Sequence, residues 1–290
     1  MPALTEHQSQ LSGRILNMAD SGAGKTGALA CLAEAGYRLI IADYDNGLDI
    51  LVGLLDGNEE AKKRVFFETF SDELQMVNGM ILPKGVPKAW TQSMEGLTKW
   101  RFPKEPGSKE YYDLGNIGTW GPDTVFIIDS YGFQGMAALS FVRQVRQHQM
   151  ENFIRIEDYG EAMRLVEGVL QLIKSPHIKC NIIVNTHVAY MEDAARGTLR
   201  GLPRALGSKL SPNVPGYFNT VISGTTEGRG AAAKRIIRTQ SEGGMELKVP
   251  LKRGVLPDVL PQEDGLLTII KKLQSRTPDM VPDDEKDEEN

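Results

Sequence analysis

The sequence has little cysteine, no long apolar run and no excess of positive charge. Its 290 residues include only two cysteines, Cys31 and Cys180, both in apolar surroundings, which favours reduced core thiols over a disulfide. No apolar run approaches the roughly 20 residues that a membrane-spanning helix needs. The amino-terminal residues also lack the basic and then apolar pattern of a signal peptide. We therefore expect a cytoplasmic protein with no membrane partner.

The net charge of −5 is concentrated at the carboxyl end. Residues 283–290 hold six carboxylates and one lysine, so the remaining residues 1–282 are formally neutral. A segment of this composition has nothing to bury and its charges repel each other, so we expect residues 276–290 to form a disordered acidic tail. Two roles stay open for it: a solubilising end, or an acidic mimic that competes with nucleic acid for basic loops.

Residues 19–26, Ala-Asp-Ser-Gly-Ala-Gly-Lys-Thr, fit the P-loop pattern of nucleoside triphosphate sites, with Ala19 in place of the usual first Gly. The glycines let successive backbone N–H groups surround phosphate oxygens. Lys25 can reach the β- and γ-phosphates, and the Thr26 hydroxyl can ligate Mg²⁺. The pattern predicts that ATP and Mg²⁺ bind at Ala19, Asp20, Ser21, Gly22, Ala23, Gly24, Lys25, Thr26 and Gly27.

The surroundings of this loop match its mechanism. Residues 14–18 read as a strand that leads in, and residues 25–34 read as a helix that leads out and stops before Gly36. A glycine-rich turn that resembles the motif by accident is the alternative, and the strand–loop–helix order argues against it.

Strands and helices alternate along most of the chain, and the end is rich in strands. This order predicts an α/β fold with a mainly parallel sheet flanked by helices and with antiparallel C-terminal strands. Residues 72–121, in which three tryptophans are scattered among Pro, Gly and Lys, indicate an insertion packed on the core of a domain that spans residues 1–275. Strands are predicted at 14–18, 37–43, 65–70, 124–129, 180–186, 218–223, 234–239 and 245–251, and helices at 25–34, 157–175 and 265–274.

Acidic or polar residues end three of the predicted strands, where ligands bind in such sheets. Asp129 closes an apolar strand and precedes Ser130, which is the Walker B arrangement for holding Mg²⁺ together with Thr26. Asp45 lies just after another strand and is a candidate for positioning the attacking water. His187 follows a third strand and is a candidate for sensing the γ-phosphate, with an ordinary strand-end histidine as the alternative.

Along the chain, the P-loop is followed by the strand before Asp45, the strand that ends at Asp129 and the strand before His187. Motifs in this order resemble the RecA recombinase core and, more closely, small phage-encoded RecA-like ATPases of single-strand annealing and recombination. The resemblance covers approximately residues 14–255. It implies a RecA-type P-loop NTPase core with DNA-stimulated ATPase activity. In that activity Lys25 and Asp129 act on the Mg²⁺-nucleotide, Asp45 replaces the catalytic Glu, and His187 is the γ-phosphate sensor. It further implies a bacterial host's cytoplasm, single-stranded DNA as partner, a ring or filament of identical subunits, and a single-strand DNA-binding protein as a further partner.

The same resemblance implies that two loops face DNA, at residues 134–158 and 188–210. Residues 194–210 carry four basic residues and no acidic one, and their glycines favour a mobile loop. Arginine on such a loop suits phosphate contact without base specificity, and a merely solvated basic loop is the alternative. The candidate DNA-binding residues are Arg196, Arg200, Arg204 and Lys209 in the second loop and Arg143 and Arg146 in the first.

A neighbouring subunit in such an assembly would donate a positive charge to the γ-phosphate. Lys248, Lys252 and Arg253 are the candidates, and exposed strand charges are the alternative interpretation. Two other functional classes stay open. One is a motor or switch ATPase of the helicase or packaging type, because that core is shared. The other is a nucleoside or nucleotide kinase, whose acceptor pocket the 72–121 insertion would supply.

Overall fold

The computed structural model describes residues 12–105, 107–193, 197–228 and 230–275. The strands are β1 (Arg14–Ala19), β2 (Arg38–Asp43), β3 (Val65–Thr69), β4 (Leu74–Val77), β5 (Met80–Pro83), β6 (Arg101–Pro103), β7 (Tyr111–Asp113), β8 (Thr124–Asp129), β9 (Asn181–Thr186), β10 (Val188–Asp193), β11 (Thr198–Pro203), β12 (Thr220–Glu227), β13 (Lys234–Arg238) and β14 (Val259–Pro261). The α-helices are α1 (Ala30–Glu34), α2 (Asp49–Leu54), α3 (Glu59–Lys62), α4 (Ala89–Thr98), α5 (Tyr131–Val145), α6 (Ile156–Lys174) and α7 (Gln262–Gln274).

Eight of these strands form one sheet, in the order β14-β13-β12-β1-β9-β8-β2-β3. The strands from β12 to β3 pair in parallel, whereas β13 and β14 join in antiparallel fashion. This confirms the predicted fold class, a P-loop α/β core with a mainly parallel sheet, flanking helices and antiparallel C-terminal strands. The carboxyl ends of β1, β9 and β8 lie side by side, with β9 in the middle.

The central strands are buried on both faces, and their alternate residues enter two separate apolar cores. In β1, Leu16 and Met18 belong to one core, and Ile15 belongs to the other. Residues of α5 and α6 complete the first core, and residues of α1 and α7 complete the second. The crossover connections place helices on both faces of a parallel sheet. The sequences of its strands are therefore nearly continuous apolar runs.

The helix after the P-loop is shorter than the sequence predicts. The predicted segment 25–34 begins as a 3-10 turn over Gly27–Leu29 and continues as α1. It ends before Gly36, which has a φ of +96° and therefore adopts a left-handed conformation that favours glycine.

The 72–121 segment is built from two small hairpins, β4-β5 and β6-β7, and from helix α4. Its tryptophans Trp90, Trp100 and Trp120 are only 4%, 2% and 1% exposed and belong to the first core. The Trp100 ring lies 6.1 Å, between centroids, from both Trp120 and Phe126 of β8. Aromatic edge contacts therefore fix this segment on the sheet, and they leave no periodic pattern in the sequence. Its status as an insertion stays a prediction.

The first predicted DNA loop, at 134–158, is wrong as a continuous loop, because residues 134–145 belong to α5 and residues 156–158 begin α6. Apolar residues at helical spacing, among them Ala138, Leu139 and Val142, face the core. Glycine residues in this segment lower its helical propensity, which explains why the sequence did not predict the helix. Gly135 lies where a Cβ atom would be 2.9 Å from the Cβ of Leu206, so the close approach of residues 204–209 requires it.

Two further predictions from the sequence need correction. Residues 188–193 and 198–203 are not irregular: they form β10 and β11, which pair antiparallel, with Val188 opposite Pro203. Residues 245–251 do not form a strand, because Met245 and Lys248 make only isolated bridges. Arg196 and the acidic tail at 276–290 lie outside the described residues.

Candidate nucleotide site

The P-loop connects the end of β1 to the turn that leads into α1. Gly22 and Gly24 have φ values of +78° and +85°, so the backbone needs glycine at both positions. The ammonium group of Lys25 donates to the carbonyl oxygens of Ala19 and Asp20, each at 3.0 Å. An ammonium has three N–H donors, so one stays available for an anion.

The Walker B carboxylate meets the P-loop directly. The Thr26 hydroxyl donates to Asp129 Oδ2 at 2.7 Å, although 103 positions separate the two residues. Asp129 is only 2% exposed. Burial raises the pKa of Asp129 to about 6, the hydrogen bond from Thr26 opposes that rise, and the negative charge of Asp45 adds to it. The carboxylate is thus held in a site that favours neutralisation of its charge.

Two further carboxylates, Asp43 and Asp45, lie at the carboxyl end of β2. Asp43 accepts hydrogen bonds from the Thr69 hydroxyl at 3.0 Å and from the backbone N–H of Asn46 at 2.9 Å. Burial raises the pKa of Asp43, and hydrogen bonds from the Thr69 hydroxyl and from backbone N–H groups of the following turn oppose the rise. Asp43 therefore secures the turn that carries Asp45, whose own backbone N–H also donates to Asp43 at 3.3 Å.

The four residues predicted to act on the nucleotide line one cavity of about 230 Å³. Lys25 comes from the P-loop, Asp45 from the turn after β2, Asp129 from β8 and His187 from the residue after β9. Burial lowers the pKa of Lys25, and the charges of Asp129 and Asp45 oppose that change. Partial burial lowers the pKa of His187, and the positive charges of Lys25 and Arg204 lower it further. The neutral imidazole is therefore the favoured form near neutral pH.

Two residues of this region carry no motif and escape prediction from the sequence. Arg235 of β13 lines the same cavity and makes no ion pair with another described residue. The Gln262 side chain, at the start of α7, donates to the carbonyl oxygen of Gly24 and lies against the P-loop. A second cavity of about 640 Å³ is lined by Gln262 and shares Gly22, Gly27 and Arg235 with the first. The two cavities therefore join along the P-loop.

The residues present fit Mg²⁺. In the described part of the chain no cluster of three or more His, Cys, Asp or Glu side chains could hold a metal ion. Magnesium at nucleotide sites needs few protein ligands, because phosphate oxygens and water complete its octahedron. Thr26 and Asp129 both line the 230 Å³ cavity and supply hard oxygen donors 2.7 Å apart, as that coordination requires.

The predicted DNA-binding residues divide into two groups. Three of them are occupied within the protein: Arg143 donates to the carbonyl oxygens of His148 and Glu151, Arg146 pairs with Glu161, and Arg200 pairs with Glu246. The other two described candidates, Arg204 and Lys209, line a groove of about 450 Å³. None of Lys248, Lys252 and Arg253 lines the nucleotide cavity, so their role as a finger toward a neighbouring subunit stays a prediction.

The groove lies beside the phosphate cavity, and His187 lines both. Its apolar wall includes Phe133, which is 47% exposed, and Met136 of α5. The backbone N–H of Arg204 donates to the carbonyl oxygen of His187 at 2.7 Å. The Thr186 hydroxyl donates to the carbonyl oxygen of Arg204 at 3.0 Å. The residue that follows β11 is thus attached to His187, which lines the cavity of the candidate nucleotide site.

No protein-family model matches the sequence, and no curated protein matches it. Among solved structures, the chain is similar to a KaiC-like protein from the hyperthermophilic archaeon Pyrococcus horikoshii, with 12% identity, a TM-score of 0.40, and 83% of this chain and 82% of that chain covered. It is similar to an ATPase from the type III secretion system of pathogenic bacteria, with 14% identity, a TM-score of 0.38, and coverage of 74% and 52%. It is also similar to the flagellar accessory protein FlaH from Methanocaldococcus jannaschii, with 10% identity, a TM-score of 0.34, and 81% of this chain and 82% of that chain covered.

These similarities are distant, and the chain spans about half the length of the type III secretion ATPase. Within the described residues, no helix has both the length and the apolar character required to cross a bilayer.

Proposed function

We propose that this protein is a RecA-like P-loop ATPase that binds ATP with Mg²⁺ and acts on single-stranded DNA in annealing or strand exchange. The contact between Thr26 and Asp129 carries the first half of the proposal, because it joins the two halves of a magnesium–phosphate site across 103 positions of sequence. Lys25 and the P-loop N–H groups would bind the phosphates, and Thr26 and Asp129 would hold Mg²⁺.

The two joined cavities suit a whole nucleotide. The smaller one is lined by Lys25, Arg235 and the P-loop glycines and would take the triphosphate. The larger one lies between α1 and the β12-β13 hairpin and would take the nucleoside. Arg235 borders both, so its guanidinium would contact the phosphates from the C-terminal strands.

Hydrolysis needs a group that orients the attacking water. Asp45 lines the phosphate cavity, and its turn is fixed by Asp43, so its carboxylate would position a water against the γ-phosphate. His187 would donate an imidazole N–H to a γ-phosphate oxygen, and its carbonyl oxygen accepts the backbone N–H of Arg204. Loss of the γ-phosphate would therefore change the position of the segment that carries Arg204 and Lys209.

The groove supports the second half of the proposal. Arg204 and Lys209 supply positive charge for backbone phosphates, and Phe133 supplies a half-exposed ring on which a base can stack. These contacts would bind single strands without reading their sequence.

The direct test measures ATP turnover with and without a single-stranded oligonucleotide. We expect turnover that requires Mg²⁺, is lost in Lys25→Ala and rises when DNA is added. Turnover that needs an added nucleoside would instead support a kinase, and duplex unwinding would support a motor. Turnover that DNA leaves unchanged would contradict the DNA half of the proposal.

Equilibrium binding of the oligonucleotide over a range of salt concentrations tests the groove. Replacing both Arg204 and Lys209 by Ala should weaken binding and reduce the slope of log K against log salt by about 2. Arg146→Ala is the matched control, because Arg146 is already paired with Glu161. An unchanged slope in the double variant, or an equal loss in Arg146→Ala, would remove the groove from the proposal.

A further inference from the structure

Three adjacent strands place polar side chains in one row next to the P-loop. Asp129 of β8 is in register with Asn185 of β9, and Asn185 is in register with Asn17 of β1. Neighbouring strands lie about 4.8 Å apart, and in-register residues share a face of the sheet. Two positions earlier in these strands, the side chains on that face are all isoleucine, at Ile15, Ile127 and Ile183. On this face of the three strands, the isoleucines are thus followed by polar residues at the carboxyl end.

The two asparagines are linked in a definite direction. Asn17 Nδ2 donates to Asn185 Oδ1 at 2.9 Å, and the two residues are 2% and 0% exposed. Since the carbonyl end of the Asn185 amide points to Asn17, its Nδ2 is left as the end toward Asp129. This nitrogen makes no hydrogen bond of normal geometry to a described residue, yet Asn185 lies close enough to Asp129 to lower the pKa of that carboxyl.

A buried amide pair with idle atoms is costly for folding. Neither Asn17 Oδ1 nor Asn185 Nδ2 has a hydrogen-bond partner among the described residues, and an unsatisfied buried polar group costs about 1–3 kcal/mol. A pair of apolar side chains would continue the isoleucine rows without that cost. A role at the adjacent site explains why amides stand here instead.

We infer that Asn17 and Asn185 are positioning residues, which hold the Asp129 carboxylate in the orientation that meets Thr26 and a bound Mg²⁺. Asn17 fixes the amide of Asn185, and Asn185 presents its N–H group to the carboxylate. The contact of Asp129 with Thr26 occupies one carboxylate oxygen, and the amide restrains the group from the other side. This inference rests on the proposed nucleotide function and adds to it a pair of residues that touch neither metal nor nucleotide.

The test measures the Mg²⁺ concentration that half-saturates binding of a fluorescent ATP analogue to the full chain. Partners of this kind typically change metal affinity by about 10–100-fold. We expect Asn185→Leu to need about 10-fold more Mg²⁺. We expect Asn17→Leu to shift the same way by a smaller factor, because it acts through Asn185. Asn185→Ser and Asn17→Ser serve as milder second variants if the leucine variants do not fold, which circular dichroism shows.

Asn181→Leu is the matched control. Asn181 is equally buried and lies on the same strand, but at its amino end, where it bonds the Gly13 N–H at 2.8 Å and the Pro122 carbonyl at 2.7 Å. This variant should lose stability and keep the parent's Mg²⁺ requirement. An unchanged Mg²⁺ requirement in the Asn185 and Asn17 variants, or an equal shift in Asn181→Leu, would overturn the inference. A parent protein that binds no nucleotide at any Mg²⁺ concentration would contradict the proposed function itself.

Discussion

Replacing Asp129 by Asn is expected to stabilise the metal-free protein while it abolishes Mg²⁺ binding. The carboxylate is 2% exposed, and the structure raises its pKa from 3.8 to about 6. The Asn side chain keeps an oxygen that can accept the hydrogen bond from Thr26, but it carries no charge to bury. One pKa unit corresponds to about 1.4 kcal/mol, so at most about 3 kcal/mol is expected at pH 8.

The stability gained by Asp129→Asn should increase as pH rises. Because the folded-state pKa of Asp129 is raised, the folded protein binds the proton more tightly, and the parent loses stability as pH rises from 3.8 through about 6. The gain from Asp129→Asn should therefore be near zero below pH 3.8 and complete well above pH 6. At pH 5 roughly half of the gain, about 1.5 kcal/mol, should be present.

Urea unfolding of parent and variant at pH 5 and pH 8, without Mg²⁺, measures the difference. Asp258→Asn is the control, because Asp258 is exposed and lines neither cavity of the candidate site, and it should change little at either pH. A variant less stable than the parent at pH 8, or a gain of equal size at the two pH values, would refute the account of Asp129.

Three further predictions concern the P-loop, the core and the sensor. Gly24→Ala should cost about 1–3 kcal/mol in urea unfolding, because the φ of Gly24 is +85° and the new Cβ would clash with the Gln262 side chain. Adding Gln262→Ala to this variant should remove the clash but leave the backbone strain. Trp100→Ala should cost about 3–5 kcal/mol in the same measurement, since Trp100 is 2% exposed. His187→Ala should bind ATP as the parent does and lose the DNA stimulation of turnover, and equal stimulation in this variant would contradict its role as sensor.

The main site could be predicted from the sequence because each of its parts is a local signal at the end of an apolar strand. The P-loop glycines, Asp45, Asp129 and His187 are all of this kind, and the parallel sheet brings such strand ends together. Asn17 also had a local signal, a polar residue within the apolar strand Arg14–Ala19, but its meaning depends on the register with Asn185.

The remaining parts depend on contacts that no local pattern encodes. Arg235 and Gln262 approach the P-loop from more than 200 positions away, through the antiparallel strands and the start of α7. Helix α5 contains Gly132 and Gly135, which lower its apparent helical propensity, and the need for Gly135 arises only when Leu206 packs against the helix. Tertiary packing determines the position of Arg235 and Gln262 and the helical structure of α5, and local sequence signals did not predict either.

Titration of Mg²⁺-ATP into the parent and into Lys25→Ala, followed by calorimetry, tests the central claim most directly. Lys63→Ala is the control, because Lys63 is exposed and pairs only with Glu60 on the surface. The structure predicts saturable binding to the parent and to the control, and an affinity about 10–100-fold weaker in Lys25→Ala, the cost of hydrogen bonds to a charged group. Equal affinity in Lys25→Ala and the parent, or no binding to the parent, would contradict the assignment of this loop as a nucleotide site.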